Sequence, residues 1–170
     1  MVDEASSGIA NGLAGAALQG ALSIAPFHAW LGLRVEDVTD GVLHLSMPWR
    51  DEIVSNPRIP SVHGGVLASL IDLAGMYVLL TRTRAVSATA SLHVDYHRPA
   101  SGGPLHIHAR VVKIGRTLSV ADSEVRSPDD VLLATRQGRA IRFAATDEQF
   151  PTMPFDALGY EVAHVGLSQW

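Results

Sequence analysis

Between Arg58 and Arg82 the chain carries one formally charged residue, Asp72, inside the stretch SVHGGVLASLIDLAGMYVLLT at 61–81. A carboxylate among Leu, Val, Ala and Met is costly unless it is paired or protonated. Such a group is either tied to a backbone or histidine partner or used as a base or nucleophile. Its isolation makes Asp72 the first candidate for chemistry. The same stretch opens on His63-Gly64-Gly65. His63 there either bonds locally at a helix start or orients a reacting group. Histidines also gather further on, with His93, Asp95 and His97 alternating on one strand and His106 and His108 on the next. If those two faces coincided, four imidazoles and a carboxylate would suit a metal. Strand-surface histidines are the commoner case, and no metal is expected.

These residues need elements to hold them. Leu67, Leu70, Ile71, Ala74 and Val78 follow the i, i+3, i+4, i+7, i+11 spacing of a helix. Its other faces are also mostly apolar, so it is expected to be buried nearly all round. Before it, Leu33 to Pro48 reads as two strands joined at Asp40-Gly41, and 51–61, with Pro57 and Pro60, reads as a loop. After Arg84 the pattern becomes strands: 87–97, with Leu92, Val94 and Tyr96 on one face, then 105–114, 117–126 and 131–143. The breaks fall at Pro99–Pro104, at Gly115-Arg116 and at Pro128-Asp129-Asp130. Sequential strands joined by turns predict an antiparallel meander, and one long apolar helix predicts a sheet curled around it, an α+β architecture. Residues 1–25 read as an N-terminal helical arm, 26–144 as the domain, and 145–170 as a C-terminal extension.

Composition narrows the function. The 170 residues suffice for one domain with a real core. The formal charge of −4, without basic clusters, gives no case for nucleic acid. With no cysteine there is no disulfide frame, thiolate metal site or cysteine nucleophile. Asp3 and Glu4, with no Lys or Arg before Arg34, do not fit a secretory leader, and the apolar runs are too short for a bilayer. A soluble cytoplasmic protein without a membrane partner is expected.

HGGVLASLID at 63–72, Tyr-x-x-Pro-Ala at 96–100, Gly-Arg-Thr at 115–117 and PFHAWLGLRVEDVTDG at 26–41 together resemble the hotdog-fold acyl-CoA thioesterases, specifically the phenylacetyl-CoA (PaaI-like) branch. The resemblance implies a hotdog fold and a homodimer with sheets joined edge to edge, often paired again into a tetramer. It also implies hydrolysis of acyl-CoA thioesters without a cofactor. Carried over by position, Asp72 resembles the general base or nucleophile, and Gly64 and Gly65 the turn whose N–H polarises the thioester carbonyl. Thr89 resembles a hydroxyl near the attacking water. Asn56 resembles an upstream asparagine, although it lies seven residues before His63 where the family's lies six before. Arg98, Lys113 and Arg116 are candidates for the CoA phosphates, because guanidinium groups suit phosphate.

The chemistry is coherent. Open N–H groups at a helix start, aided by the dipole, hold charge developing on a carbonyl oxygen, while a carboxylate attacks or activates water. Gly64 and Asp72, however, stand about 12 Å apart along one helix. One carbonyl cannot reach both, so a site using both needs a second chain. Two rivals share the fold: a hydratase or dehydratase using His63 and Asp72 as an acid–base pair, and a non-catalytic acyl-CoA-binding or sensing domain.

Overall fold

The computed structural model describes residues 13–83 and 87–142, except for the side chains of 87 and 136–142. The elements run α1 (Gly15–Ile24), α2 (Pro26–Leu31), β1 (Arg34–Thr39), β2 (Val42–Met47), a 3-10 turn (Asp51–Ile53), α3 (Gly64–Leu79), β3 (Ser87–Tyr96), β4 (Leu105–Lys113), β5 (Leu118–Arg126) and β6 (Leu132–Arg142). Of the sequence-derived segments, the N-terminal helix is confirmed only from Gly15, and the chain before 13 and after 142 lies outside the described residues. Among the described residues no helix is long and apolar enough to cross a membrane.

The six strands form one antiparallel sheet in the order β1-β2-β4-β5-β6-β3. The expected meander therefore holds only for β4, β5 and β6. β3 does not neighbour β4; it lies at the far edge beside β6. The segment 97–104 is a crossover, not a hairpin turn. Three strand spacings are about 14 Å, which eight residues span easily. It passes over the β5–β6 turn closely enough that a Cβ on Gly103 would lie 2.6 Å from Pro128 Cγ. Gly103 also holds φ +72°, so glycine is required there twice over.

The sheet's inner face packs on α3. Leu43, Leu45, Met47, Leu105, Ile107, Ala109, Ala121, Val125 and Ala134 meet Leu67, Leu70, Ile71, Ala74 and Val78, all buried. The helix is less enclosed than its composition suggests. Ser69, Asp72 and Met76 form a half-buried strip along one side. The two sheet edges differ. Along β1, Gln19 of α1 acts as a surrogate peptide: its Nε2 donates to the Leu33 carbonyl at 3.1 Å, and its Oε1 accepts from the Val35 N–H at 2.8 Å. Along β3 no further strand follows among the described residues, and residues from Ala90 to Arg98 are exposed except Val94.

Candidate active site

α3 begins where the loop 51–62 is pinned. The His63 N–H donates to the Ile53 carbonyl at 2.8 Å, and the Val62 N–H donates to the Ala100 carbonyl at 2.9 Å. His63 is the N-cap, and its Nδ1 accepts the Gly65 N–H at 2.9 Å. An accepting Nδ1 is unprotonated, which leaves Nε2 to carry the proton on this exposed ring. The His63 carbonyl accepts from Val66 at 2.9 Å. Of the two glycine N–H groups, Gly65's is thus already engaged, while Gly64's has no acceptor among the described residues. Gly64 is the open donor at the positive end of a 16-residue helix. A Cβ at Gly64 would meet the Tyr96 ring at 3.4 Å, an ordinary contact. The chain's own packing therefore does not demand glycine there, and close approach of another molecule would.

Two turns further along, Asp72 is half-buried, and its Oδ1 accepts the Thr89 hydroxyl at 2.7 Å. This is a short, charge-assisted hydrogen bond. Thr89 reaches the helix only because of a bulge. Between Thr89 and Ser91 the pairing with β6 slips by one residue. Strict alternation would turn Thr89 outward with Ser91 and His93; the extra residue, Ala90, returns it to the inner face with Leu92, Val94 and Tyr96. At the other end of β3 the Tyr96 hydroxyl donates to the Gly64 carbonyl at 3.0 Å. β3 therefore runs beside α3 and touches both candidate positions, Thr89 at Asp72 and Tyr96 at Gly64.

Other expected residues are not gathered here. Asn56 is exposed, and its Oδ1 accepts the Arg58 N–H at 2.9 Å while its carbonyl accepts from Ile59 at 3.1 Å. Directly before Pro57, its carboxamide closes its own turn. Arg98 lies exposed at the end of β3 that carries Tyr96 and Gly64, whereas Lys113 and Arg116 lie exposed at the opposite end of the sheet, where β4 turns into β5. A strand length separates them, so one protomer cannot direct all three at one ligand. Of the aromatic residues near the helix, Tyr77 turns toward α1 and α2, donating to the Ala21 carbonyl at 3.2 Å with His28 Nδ1 at 3.4 Å. Burial lowers the His28 pKa and raises that of Tyr77.

Strand order also separates the histidines. β5 and β6 stand between β4 and β3, so His106 and His108 do not adjoin His93 and His97. No group of three or more His, Cys, Asp or Glu among the described residues has metal-holding geometry. The neighbour of His108 is His44 across the β2–β4 pairing, with ring centroids 4.2 Å apart. Burial, then His44, hold the His108 pKa down, against the pull of Glu124. These rings, with His93, Asp95, Asp122 and Glu124, line a cavity of about 610 Å³ on the outer sheet face, away from α3, so His93 and His108 face one space without being strand neighbours.

Sequence reasoning cited Tyr96 only as part of a spacing. Its hydrogen bond to Gly64 was foreshadowed by one signal, an aromatic residue ending a strand three positions before Pro99.

Residues 60–134 match the thioesterase superfamily model. A candidate esterase of Halobacterium salinarum is 38% identical over 107 residues, covering 60% of this chain and 70% of its own. The medium/long-chain acyl-CoA thioesterase YigI of Salmonella typhimurium is 29% identical over 125 residues, covering 65% and 81%. Among solved structures, a thioesterase-superfamily protein superposes with a TM-score of 0.72 at 33% identity, covering 75% of this chain and 96% of that one. The Escherichia coli PaaI protein of the phenylacetic acid degradation operon superposes at 0.67 with 24% identity, covering 75% and 94%, which speaks to the fold alone.

Proposed function

The chain belongs to the thioesterase superfamily and is a thioester hydrolase with the hotdog fold, and from that premise we propose that it cleaves an acyl-CoA or aryl-CoA to the free acid and CoA. The observation that carries this reading is the pair of groups along β3: an open Gly64 N–H at a helix start, and a carboxylate, Asp72, held by Thr89. The N–H polarises the thioester carbonyl and stabilises the oxyanion. Asp72 attacks the carbonyl carbon or takes a proton from water, and the CoA thiolate leaves. The Thr89 hydroxyl donates to Asp72, so its lone pairs face outward and can accept a proton of the attacking water.

The substrate class rests on the acyl-CoA thioesterase relatives, and the phenylacetyl-CoA branch rests on the sequence motifs. The two edges support a homodimer. Gln19 blocks the β1 edge, and among the described residues no strand pairs with the outer edge of the ten-residue β3. Long exposed edges seek a partner strand. Antiparallel pairing of two β3 strands about a two-fold axis between Thr89 and Tyr96 sets each chain's Asp72 level with the partner's helix start. Such an active site takes Gly64 from one chain and Asp72 from the other. It also brings the Lys113 and Arg116 end of one chain toward the Arg98 end of its neighbour, where CoA phosphates would lie. Pairing of dimers into a tetramer remains compatible with this arrangement.

Release of free CoA from a panel of aryl- and alkyl-CoA thioesters, run beside Asp72→Asn, tests the reading. Turnover with a loss of about 100-fold in the variant is expected. Binding without turnover across the panel would replace it with the sensing reading.

A further inference from the structure

We propose that Tyr96 is a positioning residue for this hydrolysis: with His63 it grips one peptide unit, Gly64–Gly65, from both ends and thereby aims the Gly64 N–H. The inference rests on the thioester-hydrolase reading and adds a residue to it. The Tyr96 hydroxyl donates to the Gly64 carbonyl at 3.0 Å, and the N–H of the same peptide, Gly65's, donates to His63 Nδ1 at 2.9 Å. A trans peptide is planar with its C=O and N–H opposed, so bonds at both ends fix its plane.

The need for such a grip follows from the residues. Two consecutive glycines in the first turn of a helix favour fraying, and a frayed helix start is a poor oxyanion donor because its value lies in preorganisation. The preceding peptide is held as well. Its carbonyl, on His63, points along α3 to Val66 at 2.9 Å, so its N–H, on Gly64, faces away from the helix. Rotation about the Gly64 Cα bonds is already limited because Gly64 opens the first turn of α3, and the grip on the next peptide narrows it further at the frayed end of the helix. Donation to the Gly64 carbonyl also polarises that peptide. Tyr96 can serve as an anchor because its own strand end is fixed: His97 donates to the Leu133 carbonyl at 2.9 Å, and Ala100 accepts from Val62 at 2.9 Å. Burial within the protomer is not what explains the tyrosine, since Tyr96 is 55% exposed there.

Tyr96→Phe keeps the ring against Gly64 and deletes only the hydroxyl. In the CoA-release assay, kcat is expected to fall about tenfold with KM within about twofold and the melting temperature unchanged, because one hydrogen bond is lost from a step that uses it in the transition state. In ¹⁵N-labelled protein, the Gly65 amide resonance should shift and its hydrogen exchange accelerate. A His63→Ala background should shrink the effect of Tyr96→Phe, since the peptide is then already released. An unchanged kcat together with an unmoved Gly65 resonance would overturn the proposal. If the parent releases no CoA, the hydrolase reading fails by itself, and the Gly65 resonance still decides whether Tyr96 holds the turn. A fall in kcat matched by a fall in melting temperature, with the resonance unmoved, would make Tyr96 a stability residue and refute the positioning role.

Discussion

If Gly64 and Asp72 act on one carbonyl from different chains, two dead variants must rescue each other. Asp72→Asn removes the base and should cost about 10²–10⁴ in rate. The matching lesion on the donor side is Gly64→Pro. Gly64 is the first residue of α3, where proline is well tolerated because its missing N–H is not needed for the helix. His63 before it has φ −59° and ψ 131°, an extended conformation that a following proline accepts. The substitution therefore deletes the proposed oxyanion donor with little harm to the fold, at a cost of about 10²–10³ in kcat. Each homodimer is then at about 1% of the parent or below. Co-expressed in equal amounts, half of the dimers are mixed. In each of those, one site combines an intact Gly64 with an intact Asp72, and the other combines both lesions. One working site in two, in half of the dimers, gives about one quarter of the parental rate. The assay is CoA release per chain, with melting temperatures confirming that both variants fold. Activity that stays at the level of the separate variants, from dimers shown to be mixed, would refute the shared site and with it the argument from the roughly 12 Å helix spacing.

Three further outcomes follow from individual contacts. Thr89→Val keeps a β-branched strand residue but removes the 2.7 Å donor to Asp72; a hydrogen bond to a charged group is worth about 1.5–3 kcal/mol, so kcat should fall at least tenfold, and an unchanged kcat would remove Thr89 from the site. Gly115→Ala would place a Cβ 2.1 Å from the Leu118 carbonyl oxygen in the β4–β5 turn, so a loss of about 1–3 kcal/mol in denaturant unfolding is expected, and none would contradict the turn geometry. His28 and His108 both titrate below their ordinary 6.5 in the folded chain, chiefly through burial, so the unfolded chain binds more protons and stability is lost as pH falls through 6.5 toward the folded values. Melting temperature should drop between pH 7.5 and 5.5, and His108→Gln should flatten that slope; an equally steep slope in the variant would count against it.

Much of this was legible from local pattern, because local pattern is what fixes elements. The helical spacing from Leu67 to Val78, the Asp40-Gly41 turn and the alternation after Ala88 each follow from side chains a few residues apart, and each corresponds to an element in the structure. Asp72 stood out because isolation in an apolar run is also a local fact. Strand order is not. Pro99 to Pro104 reads the same whether it closes a hairpin or crosses two strands, so the position of β3 could not be taken from it. The two histidine pairs were weighed as neighbours for the same reason. Nor does sequence distinguish an N–H that is free from one that is engaged. Gly64 and Gly65 look equivalent until the His63 ring is seen to accept from one of them.

The bulge at Ala90 links the β3 edge to the proposed catalytic pair. A regular β3 would present its hydroxyl to the outer face, and Asp72 would lose the donor that holds it. Bulges are tolerated where a strand has a neighbour on only one side, because only one ladder must absorb the slip. β3 has that freedom within the protomer, and β1, its counterpart at the other edge, is covered by Gln19. The strand that the proposed dimer pairs is therefore also the one able, within the protomer, to turn Thr89 inward. Its far end carries Tyr96 to Gly64, so a single edge strand sets the proposed base and the proposed donor at the two heights that a two-fold axis through its middle would interchange.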